Sequence, residues 1–81
     1  MISSADAAGI AKRELPRLTE ENITDIRVEE IELSEDELYW YITLGYSAKI
    51  EEPSFFAEKY KTFKIQSKDG AVVAMKMRKV Q

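Results

Sequence analysis

Residues 38–50 read Leu38-Tyr39-Trp40-Tyr41-Ile42-Thr43-Leu44-Gly45-Tyr46-Ser47-Ala48-Lys49-Ile50, and this stretch decides the fold. Leu38, Trp40, Ile42, Leu44, Tyr46, Ala48 and Ile50 share one parity; Tyr39, Tyr41, Thr43, Gly45, Ser47 and Lys49 share the other. Successive side chains of a strand point to opposite faces. An apolar set at every second residue therefore specifies a β-strand with one buried face.

Working outward toward the N-terminus, Ile23 to Leu33 reads as a second strand. Ile26 and Val28 share one parity and Ile31 and Leu33 the other. That change of phase predicts a β-bulge near Glu29-Glu30. Ser34-Glu35-Asp36-Glu37 is a polar turn. A loop over 34–37 pairs Leu33 with Leu38 and Ile31 with Trp40, so loop length and hydrophobic phase agree.

Toward the C-terminus, Glu51-Glu52-Pro53-Ser54-Phe55-Phe56-Ala57 reads as a loop, with Pro53 as the stop. Tyr60 to Ser67 and Ala71 to Val80 then form a second hairpin. A two-residue Asp69-Gly70 loop would pair Ile65 with Ala74 and send Val73 and Met75 to the wrong face. A three-residue loop, Lys68-Asp69-Gly70, pairs Ile65 with Val73 and Phe63 with Met75. Such a loop ends with a left-handed glycine, which predicts φ > 0 at Gly70.

The N-terminal segment reads as a helix. Ser3 is the N-cap and Asp6 completes a capping box. Ala7, Ala8, Ala11, Leu15 and Leu18 fall on one side, and Lys12, Arg13 and Arg17 toward the other. Pro16 should end or kink the helix, because it lacks an N–H and disfavours helix in the residue before it. Gly9 is either a close approach of another backbone or a tolerated glycine. The small alanine face suits a helix lying close on a sheet. Thr19 to Asn22 is a polar connection. The expected class is α+β: one domain over 1–81, with a helix packed on a four-stranded antiparallel meander in the order α-β-β-β-β. The helix is expected to cover Trp40, Ile42, Leu44, Phe63, Ile65, Val73, Met75 and Met77.

Composition narrows the chemistry. The chain has 81 residues, 44% hydrophobic and 33% charged, with no cysteine and no histidine. Apolar packing alone must hold it, since no disulfide can form. Ser-His-Asp and Cys-His catalysis are excluded, as are zinc and copper sites built from imidazole or thiolate. No glycine-rich phosphate loop or dinucleotide fingerprint is present. No cofactor is expected. The N-terminus has neither the basic nor the apolar region of a signal peptide, and no run approaches the ~18–20 apolar residues of a membrane span. The default expectation is a cytoplasmic protein; a leader removed earlier stays open.

Charge is unevenly distributed. Residues 1–58 hold 5 basic and 14 acidic residues, whereas residues 59–81 hold 7 basic and 1 acidic. One reading places the opposite charges on neighbouring strands, where they help set register. The other makes them a charged docking surface.

The candidate sites follow. The acidic run Glu29, Glu30, Glu32, Glu35, Asp36 and Glu37 has ligands of the right type for calcium or magnesium. It lacks the EF-hand spacing, and charged hairpin tips commonly serve to discourage edge pairing. No metal site is expected there. The open sheet face should carry Glu30, Glu32, Tyr39, Tyr41, Thr62, Lys64, Lys76 and Arg78. Of these, Tyr39, Tyr41, Lys64, Lys76 and Arg78 are the candidate binding residues, since Tyr and Arg are enriched at interface hot spots. Phe55 and Phe56 form a second candidate: one caps the core and the other stays exposed, or both form a partner-binding knob. Nucleic acid fits poorly, because carboxylates share the basic face and net charge is −3.

Two stretches carry a family resemblance: the helix segment Ala8-Gly9-Ile10-Ala11-Lys12 and the hairpin from Tyr60-Lys61-Thr62-Phe63 through Ile65 and Lys68-Asp69-Gly70-Ala71 to Val72-Val73. Together they resemble the small PepSY-type domains, which pair an alanine-bearing helix with an aspartate-glycine hairpin. The layout is also similar to some small bacterial immunity proteins. Either likeness implies a non-catalytic module acting by protein contact, with inhibition of a larger enzyme as one form, and neither lends a residue-level active site. The expected function is a non-enzymatic protein-interaction module that binds a protein partner or a second copy of itself. The alternative is a small-ligand binder or minor enzyme with a pocket between helix and sheet, near Trp40, Phe56 and Tyr60.

Overall fold

The computed structural model describes residues 1–50 and 55–78. Its elements are helix α1 (Ser4–Leu18) and strands β1 (Ile23–Leu33), β2 (Tyr39–Ile50), β3 (Phe55–Gln66) and β4 (Val72–Met77). The strands form one antiparallel sheet in the order β1-β2-β3-β4. This is the expected α+β meander. The molecule measures 44 × 26 × 18 Å. The thin dimension leaves room for one helix on one sheet, so the far face of the sheet is uncovered among the described residues.

The helix begins as its sequence dictates. The Ser3 side chain accepts from the Asp6 N–H at 3.0 Å, and the Asp6 carboxylate accepts from the Ser3 N–H. Ala7, Ala8, Ala11 and Leu15 are buried, while Leu18 is exposed. Pro16 does not end the helix: it sits inside the last turn, and the Thr19 N–H reaches the Leu15 carbonyl at 3.2 Å to close that turn. So near the end a proline removes one bond rather than interrupting a ladder. Nothing lies within 4 Å of a Cβ built on Gly9, which leaves it a tolerated glycine.

The alanine face lets the helix lie low over β2. Ile42, Leu44, Tyr46 and Ala48 from β2, with Phe63 and Ile65 from β3, have no exposed surface. Trp40 packs against this core and donates from Nε1 to the Ile2 carbonyl at 3.2 Å, which pins the start of the helix to the sheet. Ile2 in turn donates its N–H to the Ser67 carbonyl at 2.7 Å. Coverage is narrower than the sequence implies. Val73 and Met77 are exposed rather than covered, as are Val28 and Ile31 on β1.

Strand β1 carries the expected bulge and a second one. Register shifts lie between Val28 and Glu30 and between Thr24 and Arg27. The first inserts Glu29; the second inserts a residue at Asp25-Ile26, where Asp25 takes φ 59°. Aspartate tolerates the left-handed region better than most residues. Each bulge flips the phase, so Ile23, Ile26, Val28, Ile31 and Leu33 can all face the helix side despite mixed parity.

Both hairpins turn differently from the simplest loop count. Leu33 pairs with Trp40 and Ile31 with Ile42, two residues away from the expected partners, and the faces are preserved. Leu38 leaves the strand and is exposed, because Asp36 and Ser34 close the tip. The Asp36 carboxylate accepts from the Ser34 hydroxyl at 2.6 Å and the Leu38 N–H at 3.0 Å, which holds it below the usual carboxylate range. In the second hairpin Phe63 pairs with Met75, as expected, but Ile65 pairs with Val72. Here Gln66 bonds Ala71 around residues 67–70, and a register shift restores the phase, leaving Val73 outside. Phe55 and Phe56 are not loop residues: they open β3, paired with Ile50 and Lys49. Pro53 lies outside the described residues.

Two predictions follow from the core and the turn. Gly70 has φ 80°, and an added Cβ would lie 2.7 Å from Ile10 Cδ1. Gly70→Ala should cost about 1–2 kcal/mol in urea unfolding, and Gly70→Asn less. The Tyr46 hydroxyl is buried with no hydrogen-bond partner, and burial, reinforced by the Glu21 carboxylate, pushes its pKa up to about 12. The unfolded phenol ionises near 10, so the folded state retains a proton that the unfolded state loses as pH climbs from about 10 to 12. The contribution of Tyr46 to stability is therefore fully present below about pH 10 and declines as pH rises toward about 12. Tyr46→Phe should match or exceed wild-type stability by up to about 1 kcal/mol at pH 7. Urea titrations at pH 8, 10 and 11 should show a shallower alkaline decline in the variant.

Candidate functional site

The uncovered face of the sheet is built from alternate residues of each strand. Tyr39, Tyr41, Thr43, Gly45, Ser47 and Lys49 come from β2, and Phe56, Glu58, Tyr60, Thr62, Lys64 and Gln66 oppose them on β3. Arg27, Glu30 and Glu32 come from β1; Ala74 and Lys76 come from β4, with Arg78 just beyond it. Tyr39, Tyr41, Lys64, Lys76 and Arg78, singled out by sequence, thus share one face. Phe55 and Phe56 do not act as a pair. Adjacent strand residues diverge, so Phe55 points to the helix side and Phe56 to the open side, both exposed.

The centre of the face is an ion cluster. The Arg27 guanidinium lies over the backbone of Gly45. It donates to Glu29 at 3.1 Å, to the Asp25 carboxylate at 2.8 Å, to the Asp25 carbonyl at 2.9 Å and to Glu58 at 3.0 Å. These bonds raise its pKa, with the Glu29 bond the main cause. Both β1 bulges are needed, because they set Asp25 and Glu29 on either side of Arg27. A Cβ on Gly45 would lie 2.7 Å from Glu29 Oε1, 2.9 Å from Arg27 Nη2 and 3.1 Å from the Tyr60 ring. Only glycine leaves that space. Next to it Arg78 spans the sheet to pair with Glu30, passing 3.5 Å from the Thr43 hydroxyl. Thr43 and Thr62 share a hydrogen bond of 2.9 Å.

Toward the hairpin tip the face becomes aromatic. Lys64 Nζ sits 4.2 Å from the Tyr39 ring centroid and 6.0 Å from that of Tyr41, within cation–π range. Two shallow grooves flank Tyr41 and Thr62. One of about 200 Å³ is lined by Glu30, Glu32, Tyr41, Thr43, Thr62 and Arg78. The other, about 140 Å³, is lined by Tyr41, Thr62, Lys64, Ala74 and Lys76. Both are smaller than the ~300–1,000 Å³ clefts that enclose small ligands.

The sequence-level pocket near Trp40, Phe56 and Tyr60 is not assembled. Trp40 faces the helix, whereas Phe56 and Tyr60 face the open side. Nor do the acidic and basic zones sit on neighbouring strands. β2 lies between β1 and the basic strands, and Lys49 is its only charged residue. The acidic and basic zones are instead opposite edges of one face. Arg27, Gly45 and Glu58 join the site without being singled out by the sequence, and Tyr60 joins it here rather than in a pocket with Trp40. The unequal parity of Ile23 and Ile26 was the available signal for the bulge that brings Arg27 among its carboxylates. The acidic run holds no group of three ligand-type residues placed for a metal ion among the described residues, and no helix there is long and apolar enough to cross a membrane.

Removing the central cation exposes three carboxylates to one another. Arg27→Gln should therefore lower stability at low salt and lose less at 0.5 M NaCl, where repulsion is screened. Urea midpoints at the two salt concentrations measure this; equal losses would show that the carboxylates do not interact through Arg27.

The chain matches no protein-family model, no curated protein and no solved structure.

Proposed function

We propose that this domain is a non-enzymatic interaction module that docks another protein surface on the open face of its sheet. The observation that carries the reading is the block formed by Tyr39, Tyr41 and Lys64 on a face that no element among the described residues covers. Tyrosines held by a neighbouring lysine present rigid, amphipathic area with little entropy left to lose on binding. The grooves beside them are shallow, which suits a broad partner better than an enclosed small molecule. The PepSY likeness agrees with action by contact, and inhibition of a larger enzyme is one form such contact takes. With no histidine or cysteine in the chain, neither a Ser-His nor a Cys-His pair can form.

The test compares wild type with a Tyr41→Ala/Lys64→Ala double variant as immobilised bait, read by quantitative mass spectrometry. A helix-side variant, Ile31→Ser, serves as the control. Proteins retained by wild type, including free copies of the chain itself, should fall at least about tenfold on the double variant and persist on the control. Equal retention by the double variant, or loss on Ile31→Ser alone, would sink the open-face assignment.

A further inference from the structure

The open face reads as rows that run across all four strands. One row is Glu32, Tyr41, Lys64 and Ala74; the next is Glu30, Thr43, Thr62 and Lys76. In both, the acid stands on β1 and the base on β3 or β4. Across these two rows the face is therefore polar from edge to edge in the same sense.

A surface with that pattern complements itself in one arrangement. Consider two copies stacked face to face about a two-fold axis parallel to the strands. The axis places β1 over the partner's β4 and β2 over the partner's β3, and it maps every row onto itself. Glu30 then meets the partner's Lys76, Tyr41 meets the partner's Lys64, and symmetry makes each contact twice. A two-fold axis in the same plane but perpendicular to the strands would set Glu on Glu and Lys on Lys. Charge excludes that alternative.

We infer that the occupant of the open face is a second copy of this chain, docked sheet against sheet about a two-fold axis along the strand direction. The inference rests on the reading of this face as a docking surface and names its partner. Further features fit. Lys76 has no ion-pair partner among the described residues, so it is free to answer the partner's Glu30, which within its own chain is held by Arg78. The next row ends in Arg27 and Arg78, which the axis brings together, but each is already neutralised within its own chain. Sheets stack about 10 Å apart at about 30°, which displaces the edges of so narrow a sheet by only about one residue. Four strands about 4.8 Å apart and about 30 Å long offer ~600 Å² per copy. That is the low end of specific interfaces, so a reversible dimer in the micromolar range is expected.

Sedimentation velocity between about 1 and 500 μM tests this. Wild type should pass from monomer to dimer within that range. Glu30→Lys and Lys76→Glu should each weaken dimerisation at least about tenfold, because each places like charges together twice. An equimolar mixture of these two variants should recover near wild-type association, since the new lysine at 30 then meets the new glutamate at 76 and the two native groups also meet. Ala74→Lys, which sets a cation opposite the partner's Glu32, should tighten the dimer about threefold or more, and it leaves the Arg78–Glu30 pair intact. A wild type monomeric at 500 μM, or a mixture no tighter than its components, overturns the two-fold dimer. If that monomer still retains a foreign protein lost on Tyr41→Ala/Lys64→Ala, the docking-surface reading survives without it. A dimer indifferent to all these substitutions overturns both.

Discussion

The burial of one side of β2 beneath a low-lying helix is the interaction on which the rest depends. Ile42, Leu44, Tyr46 and Ala48 lose all contact with solvent against Ala7, Ala8, Ala11 and Leu15. With no disulfide available, this apolar contact and its extension to Phe63 and Ile65 are the main source of stability. The helix can lie close because its inner positions are mostly alanine. It is also too narrow to cover four strands, so Val28, Ile31 and Met77 remain exposed at the margins. A single small core therefore leaves one full sheet face, and parts of the other, in contact with solvent.

The open face takes its character from β1. An uninterrupted strand there would have put two of its five aliphatic residues, Ile26 and Val28, on the wrong side. The two bulges correct the phase, and each places an acid, Asp25 or Glu29, beside Arg27. Local backbone irregularity and surface electrostatics thus have one origin. Gly45 belongs to the same device, since its missing Cβ is what lets the guanidinium settle on the sheet. Arg78 and Glu30 repeat the pattern one row away, across the full width of the sheet. Exposed pairs of this kind add little stability one at a time, but they order long side chains into a flat surface with an acidic and a basic edge.

Much of the architecture was legible because period-2 alternation is a direct record of burial. It marked β2, the bulge at Glu29, the pairing of Phe63 with Met75 and the left-handed Gly70. The misreadings share a cause. The shortest loop that keeps the phase pairs Leu33 with Leu38 and Ile65 with Val73, whereas the structure pairs them with Trp40 and Val72. A shift of two residues, or a bulge next to the turn, keeps the phase just as well. What selected the observed turns was local hydrogen bonding: Asp36 to Ser34 and Leu38 at one tip, and Gln66 to Ala71 at the other. Pro53 points to a loop through Phe55 and Phe56, yet pairing with Lys49 and Ile50 extends β3 through both.

By itself the sequence determined the class of fold, the element order and which side of the central strand is buried. Those depend on hydrophobic periodicity and caps, which act between near neighbours in the chain. It also determined which residues of β2 and β3 reach the open face, since parity settles facing where no bulge interrupts the strand. Only the tertiary structure decided how far the helix covers the sheet, and that Arg27 and Arg78 reach carboxylates on strands that are not their neighbours. Such facts depend on contacts between residues dozens of positions apart, such as Arg27 with Glu58 and Arg78 with Glu30, and no local pattern in the chain encodes their distance.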